Sequence, residues 1–191
     1  MSGSSDFQLG TGDYTLEGWI KFHNATSWAL LSAGRDSTGK IRWDVGNSYI
    51  KVGYNTPGNG GVITIKSENY GGNNLVNGNW YHFAYVRSGN NHYIFKDGVQ
   101  LGTPTSDSID FDTHYDGTPD VYINAFNPPG QYTMGATGTF DDIRLTKGVA
   151  RYTSNFTPAE AAFGSSGGYA KNDVVVHNGV TYISLADNNT D

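Results

Sequence analysis

"NWYHFAYVRSGNNHYIFKDGVQL", residues 79–101, decides the fold class. Tyr81, Phe83 and Tyr85 share one side of an extended chain; Trp80, His82, Ala84 and Val86 share the other. Alternation of this kind has the period of a strand, not of a helix. Both sides are largely apolar, which predicts a central strand covered on two faces. Residues 91–101 form a second run broken by Lys96-Asp97-Gly98. An Asp-Gly pair between apolar runs predicts a tight hairpin, because only residues tolerating positive φ close it.

The same period recurs along the chain. Over residues 15–22, Leu16, Ile20 and Phe22 oppose Thr15, Glu17, Trp19 and Lys21; over residues 40–45, Ile41, Trp43 and Val45 oppose Lys40, Arg42 and Asp44. Further strands are predicted at 28–33, 49–54, 62–66, 121–126 and 139–145. Loops rich in Gly, Pro and Asn at 56–61, 70–74 and 127–130 separate them. Short strands at near-regular spacing define an all-β sandwich or barrel. Hydrophobic residues make up 37% of the chain and aromatics 14%, so a core of few, large side chains is expected. The net charge of −6 is dispersed with no Lys/Arg run, which argues against nucleic acid as a partner. No apolar run approaches the ~18 residues of a membrane helix, so no membrane insertion is expected. The absence of Cys excludes a disulfide scaffold and thiol catalysis.

The Gly/Ser stretch at 164–168 reads as a linker. It divides the chain into a sandwich at 1–163 and a short unit at 169–191. In the latter, Val174-Val175-Val176 and Val180-Thr181-Tyr182-Ile183 flank an Asn178-Gly179 turn, the signature of a β-hairpin. A lone hairpin is marginal in water. Residues 169–191 are therefore expected to fold back on the sandwich or to pair with another subunit.

"FQLGTGDYTLEGWIKF" (7–22), "NGNWYHFAYVRSGNNHYIFKDGVQLGT" (77–103) and "GTFDDIRLTKGVARYTSNFTP" (138–158) resemble the laminin-G-like branch of the concanavalin-A-like jelly rolls. The resemblance covers most of residues 7–163. It implies a two-sheet antiparallel jelly roll whose ligand, a glycan or a protein and sometimes with calcium, lies on the concave face or at loop rims. Such relatives usually carry a strand before the first of these segments, and here that strand is expected to be absent or supplied from elsewhere. "GVARYTSNFTP" is similar to segments of phage virion proteins. "YAKNDVVVHNGVTYISLADNNTD" (169–191) resembles the first half of a small chitin-binding-type carbohydrate module, in which Tyr169 and Tyr182 match structural aromatics.

A glycoside hydrolase needs two carboxyl groups about 5–9 Å apart. The only glutamates, Glu17, Glu68 and Glu160, are far apart in sequence, and Asp110-x-Asp112 lies in a loop. None of the five histidines sits beside a G-x-S-x-G turn. His82 and His92 read as structural or surface residues. Asp110, Asp112 and Asp116 form an oxygen-rich loop that could hold calcium, or could simply stabilise turns. Sugar rings stack on exposed aromatics, so Trp19, Tyr49, Tyr54, Tyr70, Tyr115 and Tyr132 are the candidate ligand-binding residues. Trp43 and Trp80 are assigned to the core; Trp19 and Trp28 fit core and surface equally.

"FDDIRLTKGVARYTSNFTP" (140–158) concentrates charge and aromatic rings. No proton-transfer partner accompanies it, and it is read as a structural clasp. Ile143 and Leu145 share a face with Asp141; Phe140, Asp142 and Arg144 share the other. Asp142 and Arg144 are expected to pair with each other or with neighbouring strands. Tyr152 and Phe156 are expected to plug the open end of the sandwich. The functional expectation is a non-enzymatic binding module on the exterior of a phage virion. Its partners would be other virion proteins, its own copies through the sheet edge and hairpin, or a host-surface glycan. A secreted glycan-binding module is the alternative, and a glycoside hydrolase a third.

Overall fold

A computed structural model describes residues 5–24, 31–35, 39–55, 63–70, 75–114, 119–124, 137–159, 174–177 and 180–183. Trp28, Tyr115, Asp116, Tyr132 and the stretch at 164–168 lie outside the described residues.

The chain is a two-sheet antiparallel sandwich. Thirteen described strands are β1 (Tyr14–Asn24), β2 (Leu31–Arg35), β3 (Gly39–Val45), β4 (Tyr49–Asn55), β5 (Ile63–Asn69), β6 (Trp80–Ser88), β7 (Asn91–Lys96), β8 (Val99–Gln100), β9 (Thr105–Ser106), β10 (Val121–Ile123), β11 (Thr137–Lys147), β12 (Val174–His177) and β13 (Val180–Ile183). The larger sheet runs β13-β12-β11-β1-β6-β7-β8, with β9 also on β7. The smaller runs β10-β2-β3-β4-β5.

Residues 79–101 form the central strand and the hairpin that their sequence predicts. β6 lies between β1 and β7, and its Phe83 and Tyr85 enter the core while Ala84 and Val86 are buried on the outer side. Asp97 and Gly98 close the β7–β8 turn with φ of 51° and 76°, the two left-handed residues that a type I′ turn requires. Between the sheets pack Leu16, Ile20 and Phe22 of β1, Ile41 and Trp43 of β3, Ile50 and Val52 of β4, and Ile94 of β7. The Trp43 indole N–H donates to the Tyr14 hydroxyl at 3.1 Å, and the Tyr85 hydroxyl to the Asp44 carbonyl at 2.6 Å. These bonds satisfy polar tips that burial would otherwise penalise.

Two features depart from the expected alternation. On β11 the register slips opposite Gly18: Glu17 faces Arg144, but Trp19 faces Asp141. Asp142 takes a left-handed φ of 49° at this bulge, and the extra residue flips the side-chain parity. Phe140 therefore packs on the core side with Ile143 and Leu145, not with Arg144 as simple alternation predicts. Gly18 fits closely there: a Cβ would meet the tip of the Ile143 side chain, which would have to shift.

The second departure concerns residues 148–159. They do not plug the open end; they cross the outer face of the larger sheet as a strap. Tyr152 and Phe156 cover Ala84, Val86 and Phe95, their rings stacked at 3.5 Å between centroids and 6° between planes. Backbone bonds pin the strap: Phe156 N–H donates to Gly98 O at 2.9 Å, and Arg151 N–H to the Thr15 hydroxyl at 3.0 Å. Apolar residues on the outer side of β6 and β7 explain this route, since they need a cover that a plug at the end would not provide.

The backbone of the terminal hairpin continues the larger sheet. β12 pairs antiparallel with β11 (Arg144 opposite Val175), and β13 pairs with β12. On the far flank, Lys66 bridges the layers: its ammonium donates to the Glu68 carboxylate and the Thr103 carbonyl, each at 2.7 Å.

Candidate functional site

The outward face of the smaller sheet is polar. Register aligns Tyr122, Ser32, Arg42, Gly53 and Thr64 in one row, and Asp44, Lys51 and Ser67 in the next. Their sequence neighbours Leu31, Ile41, Trp43, Ile50 and Val52 point into the core, so strand alternation alone puts the polar set on one face. Ser32 and Asp44 are fully withdrawn from solvent, while Arg42, Tyr49, Lys51 and Tyr122 are half-buried. The face is thus a polar floor, most deeply buried at Ser32 and Asp44.

Asp44 organises it. The Arg42 guanidinium donates to both carboxylate oxygens, from Nε at 3.3 Å and Nη2 at 2.8 Å. Lys51 Nζ stands 3.5 Å from the same carboxylate and 5.4 Å from the centre of the Tyr49 ring. Burial raises the Asp44 pKa above the usual carboxylate value despite these two cations. Burial, then the Asp44 charge, also raises Tyr49. Two cations on one carboxylate, in partly dry surroundings, can present directed donors to hydroxyl or carboxylate oxygens. Tyr122 adds a hydroxyl that donates to Asp120 at 3.2 Å.

The other predicted ligand residues scatter. Tyr54 packs against the core edge and lies on His114, ring centres 4.1 Å apart. Tyr70 is a correction: it is buried, and its hydroxyl donates to the carbonyls of Tyr49 at 2.7 Å and Gly46 at 3.3 Å. It braces the floor from below and offers no ring face. Trp19 is on the outer face of the larger sheet, half-buried, with its indole N–H on the Ala159 carbonyl at 3.1 Å. Trp80, assigned to the core from its size, is 39% exposed, because the core-facing positions of β6 are odd-numbered.

The loop aspartates serve the backbone. Asp110 Oδ1 accepts the Asp112 N–H, and Asp112 Oδ1 accepts the Gly10 N–H, both at 3.0 Å. Among the described residues no three His, Asp or Glu side chains gather as a metal-ligand set.

The clasp holds the strongest charge network. Glu17 Oε1 accepts from Arg144 at 3.0 Å (Nε) and 2.5 Å (Nη2), and Oε2 accepts the Tyr152 hydroxyl at 2.9 Å. His82 Nε2 is 3.5 Å away. Burial would raise the Glu17 pKa, but the His82 contact and the Arg144 charge outweigh it and the pKa is lowered. Arg144 thus pairs with a neighbouring strand, through Glu17 of β1. Glu17 and His82, both fully buried beneath the strap, have no exposed surface for a substrate. Sequence reading missed Glu17, because its partner is 127 residues distant.

Residues 3–151 match the family described as the Concanavalin A-like lectin/glucanases superfamily, and the chain belongs to it. Its fold is that of carbohydrate-binding modules. The Ruminococcus gnavus IT-sialidase CBM40, solved bound to α2,3-sialyllactose, is similar at 11% identity and a TM-score of 0.61, over 74% of this chain and 78% of that one. Domain 4 of AbnA, an extracellular arabinanase from Geobacillus stearothermophilus solved with arabinotriose, gives 13% identity and a TM-score of 0.55, over 76% and 65%. A putative carbohydrate-binding protein from Bacteroides ovatus gives 15% and 0.52, over 95% and 56%. The chain thus spans about two thirds of the arabinanase domain and little over half of the Bacteroides protein. No curated protein matches the chain by sequence.

Proposed function

We propose that this protein is a non-catalytic glycan-binding module acting outside the cell, with its ligand on the floor formed by Arg42, Asp44, Lys51, Tyr49 and Tyr122. One observation carries the reading: the Asp44 carboxylate is buried on the outward side of a sheet, away from the core, yet it fixes two cations. Burying a carboxylate for packing alone is unfavourable, and a positioned donor pair is what it provides. The similarity to modules solved with sialyllactose and arabinotriose supports a sugar. Glycan-array screening of the whole chain, followed by calorimetry on the hits, tests this. Lys51→Met and Tyr122→Ala should each weaken binding at least about tenfold with little change in melting temperature. Absence of any glycan above background, or unchanged affinity in both variants, refutes the assignment.

A virion setting is the second reading. Two features support it: the likeness of the strap segment "GVARYTSNFTP" to phage virion proteins, and the β12–β13 hairpin, which carries the larger sheet beyond β11. Strand edges are natural docking positions for neighbouring subunits. Copurification with intact particles tests it; a chain found only free in the medium removes it.

A further inference from the structure

The strap divides the outer face of the larger sheet. One half, over Ala84, Val86 and Phe95, is sealed by Tyr152 and Phe156. Across the other half, Trp80, Lys21 and Thr139 lie in one register row, with Trp19 and Asp141 in the next. Trp80 is 39% exposed, about 100 Å² if an indole side chain spans some 250 Å². Around it stand hydrogen-bonding groups: the Lys21 ammonium 5.1 Å from the ring centre, the exposed Thr139 with His23 on its hydroxyl at 3.0 Å, and the exposed Asp141. Trp19, its indole N–H on the Ala159 carbonyl, flanks the patch.

We propose that this patch is a second ligand site, distinct from the floor of the smaller sheet, and that it takes a pyranose unit of a neutral polysaccharide. A flat apolar ring rimmed by donors and acceptors matches a sugar, whose CH face is apolar and whose equatorial hydroxyls radiate at its edge. A protein partner fits less well. Protein interfaces want a broad core depleted of charge, whereas among the described residues the other large exposed hydrophobics, Ile63, Val76, Val99 and Val149, sit on four other segments. Lys21 rests on the ring in the absence of sugar, and its flexible stem lets the ammonium move to a hydroxyl.

The site is tested with the whole chain and cellohexaose, xylohexaose and mannohexaose, by calorimetry and tryptophan fluorescence. At least one probe should bind with a shift in emission and protect Trp80 from iodide quenching. Trp80→Ala should weaken that binding at least about tenfold and leave the melting temperature near that of the parent, since the residue lies outside the core. Lys51→Met, which disables the floor, should leave it intact, so the two sites fail separately. Failure of all three probes, or a Trp80→Ala variant that binds like the parent, overturns the proposal. So does concentration-dependent dimerisation abolished by Trp80→Ala, which would make the patch a contact between copies.

Discussion

Glu17 and Arg144 meet across β1 and β11 with both side chains shut off from solvent, joined by two hydrogen bonds from one guanidinium. The pair sits where the strap must be fastened, because the second Glu17 oxygen accepts the Tyr152 hydroxyl. Removing one member of a buried pair is costly because it strands the other. Arg144→Met should lower unfolding free energy by about 3–5 kcal/mol, read from urea midpoints. The double variant Glu17→Leu/Arg144→Met should recover much of this loss, since no charge is left buried. A double variant no better than the single would show that the pair is worth its desolvation.

The same pair sets an acid limit. The folded Glu17 carboxyl has a pKa below its ordinary 4.5, so its contribution is complete above 4.5 and is lost as pH falls through the folded value. Asp44 runs the other way: its raised pKa means that ionisation opposes folding, and acid relieves it. Asp44→Asn should therefore preserve or raise stability at pH 7 while weakening ligand binding. That combination separates a binding carboxylate from a structural one.

His92 gives a second, earlier acid limb. It is buried, and burial followed by the Arg87 charge pushes its pKa from 6.5 down to about 4. Between these values the unfolded chain takes up a proton that the folded chain refuses. Stability should fall by roughly 3 kcal/mol as pH drops from 6.5 to 4, and His92→Leu should flatten that limb. A parent whose urea midpoint holds constant between pH 6.5 and 4.5 contradicts this.

Much of this architecture could be read from alternation alone, since strand period is a local property. What could not be read is non-local. On β6 both faces are apolar, so nothing in residues 80–86 says which faces the core; the distant strap at 148–159 decides it and leaves Trp80 at the margin. The bulge at Asp142 inverts the side of Phe140 because one extra residue meets Gly18 on another strand. Tyr70 looks like a loop aromatic until the carbonyls of Gly46 and Tyr49 appear beneath it. The floor itself was half legible: Tyr49 stood out as an aromatic, but Arg42 and Asp44 read as an ordinary polar face and nothing singled out Lys51 until register joined them.

The strap makes a final prediction through Gly98. Its φ of 76° suits glycine, and an added Cβ would strike the Phe156 carbonyl oxygen. Gly98→Ala therefore incurs left-handed strain, about 1–2 kcal/mol, and also expels the strap by breaking the Phe156 N–H to Gly98 O bond. Gly148 has a similar φ of 83° with nothing within 4 Å of its Cβ position, so Gly148→Ala reports the strain alone. Phe156→Ala, at a half-buried ring, should lose about 3 kcal/mol, the low end for a Phe truncation. Because Gly98→Ala and Phe156→Ala release the same segment, their combined loss should fall well short of the sum. Additive losses, or equal effects of the two glycine variants, would show that the strap is not fastened at Gly98.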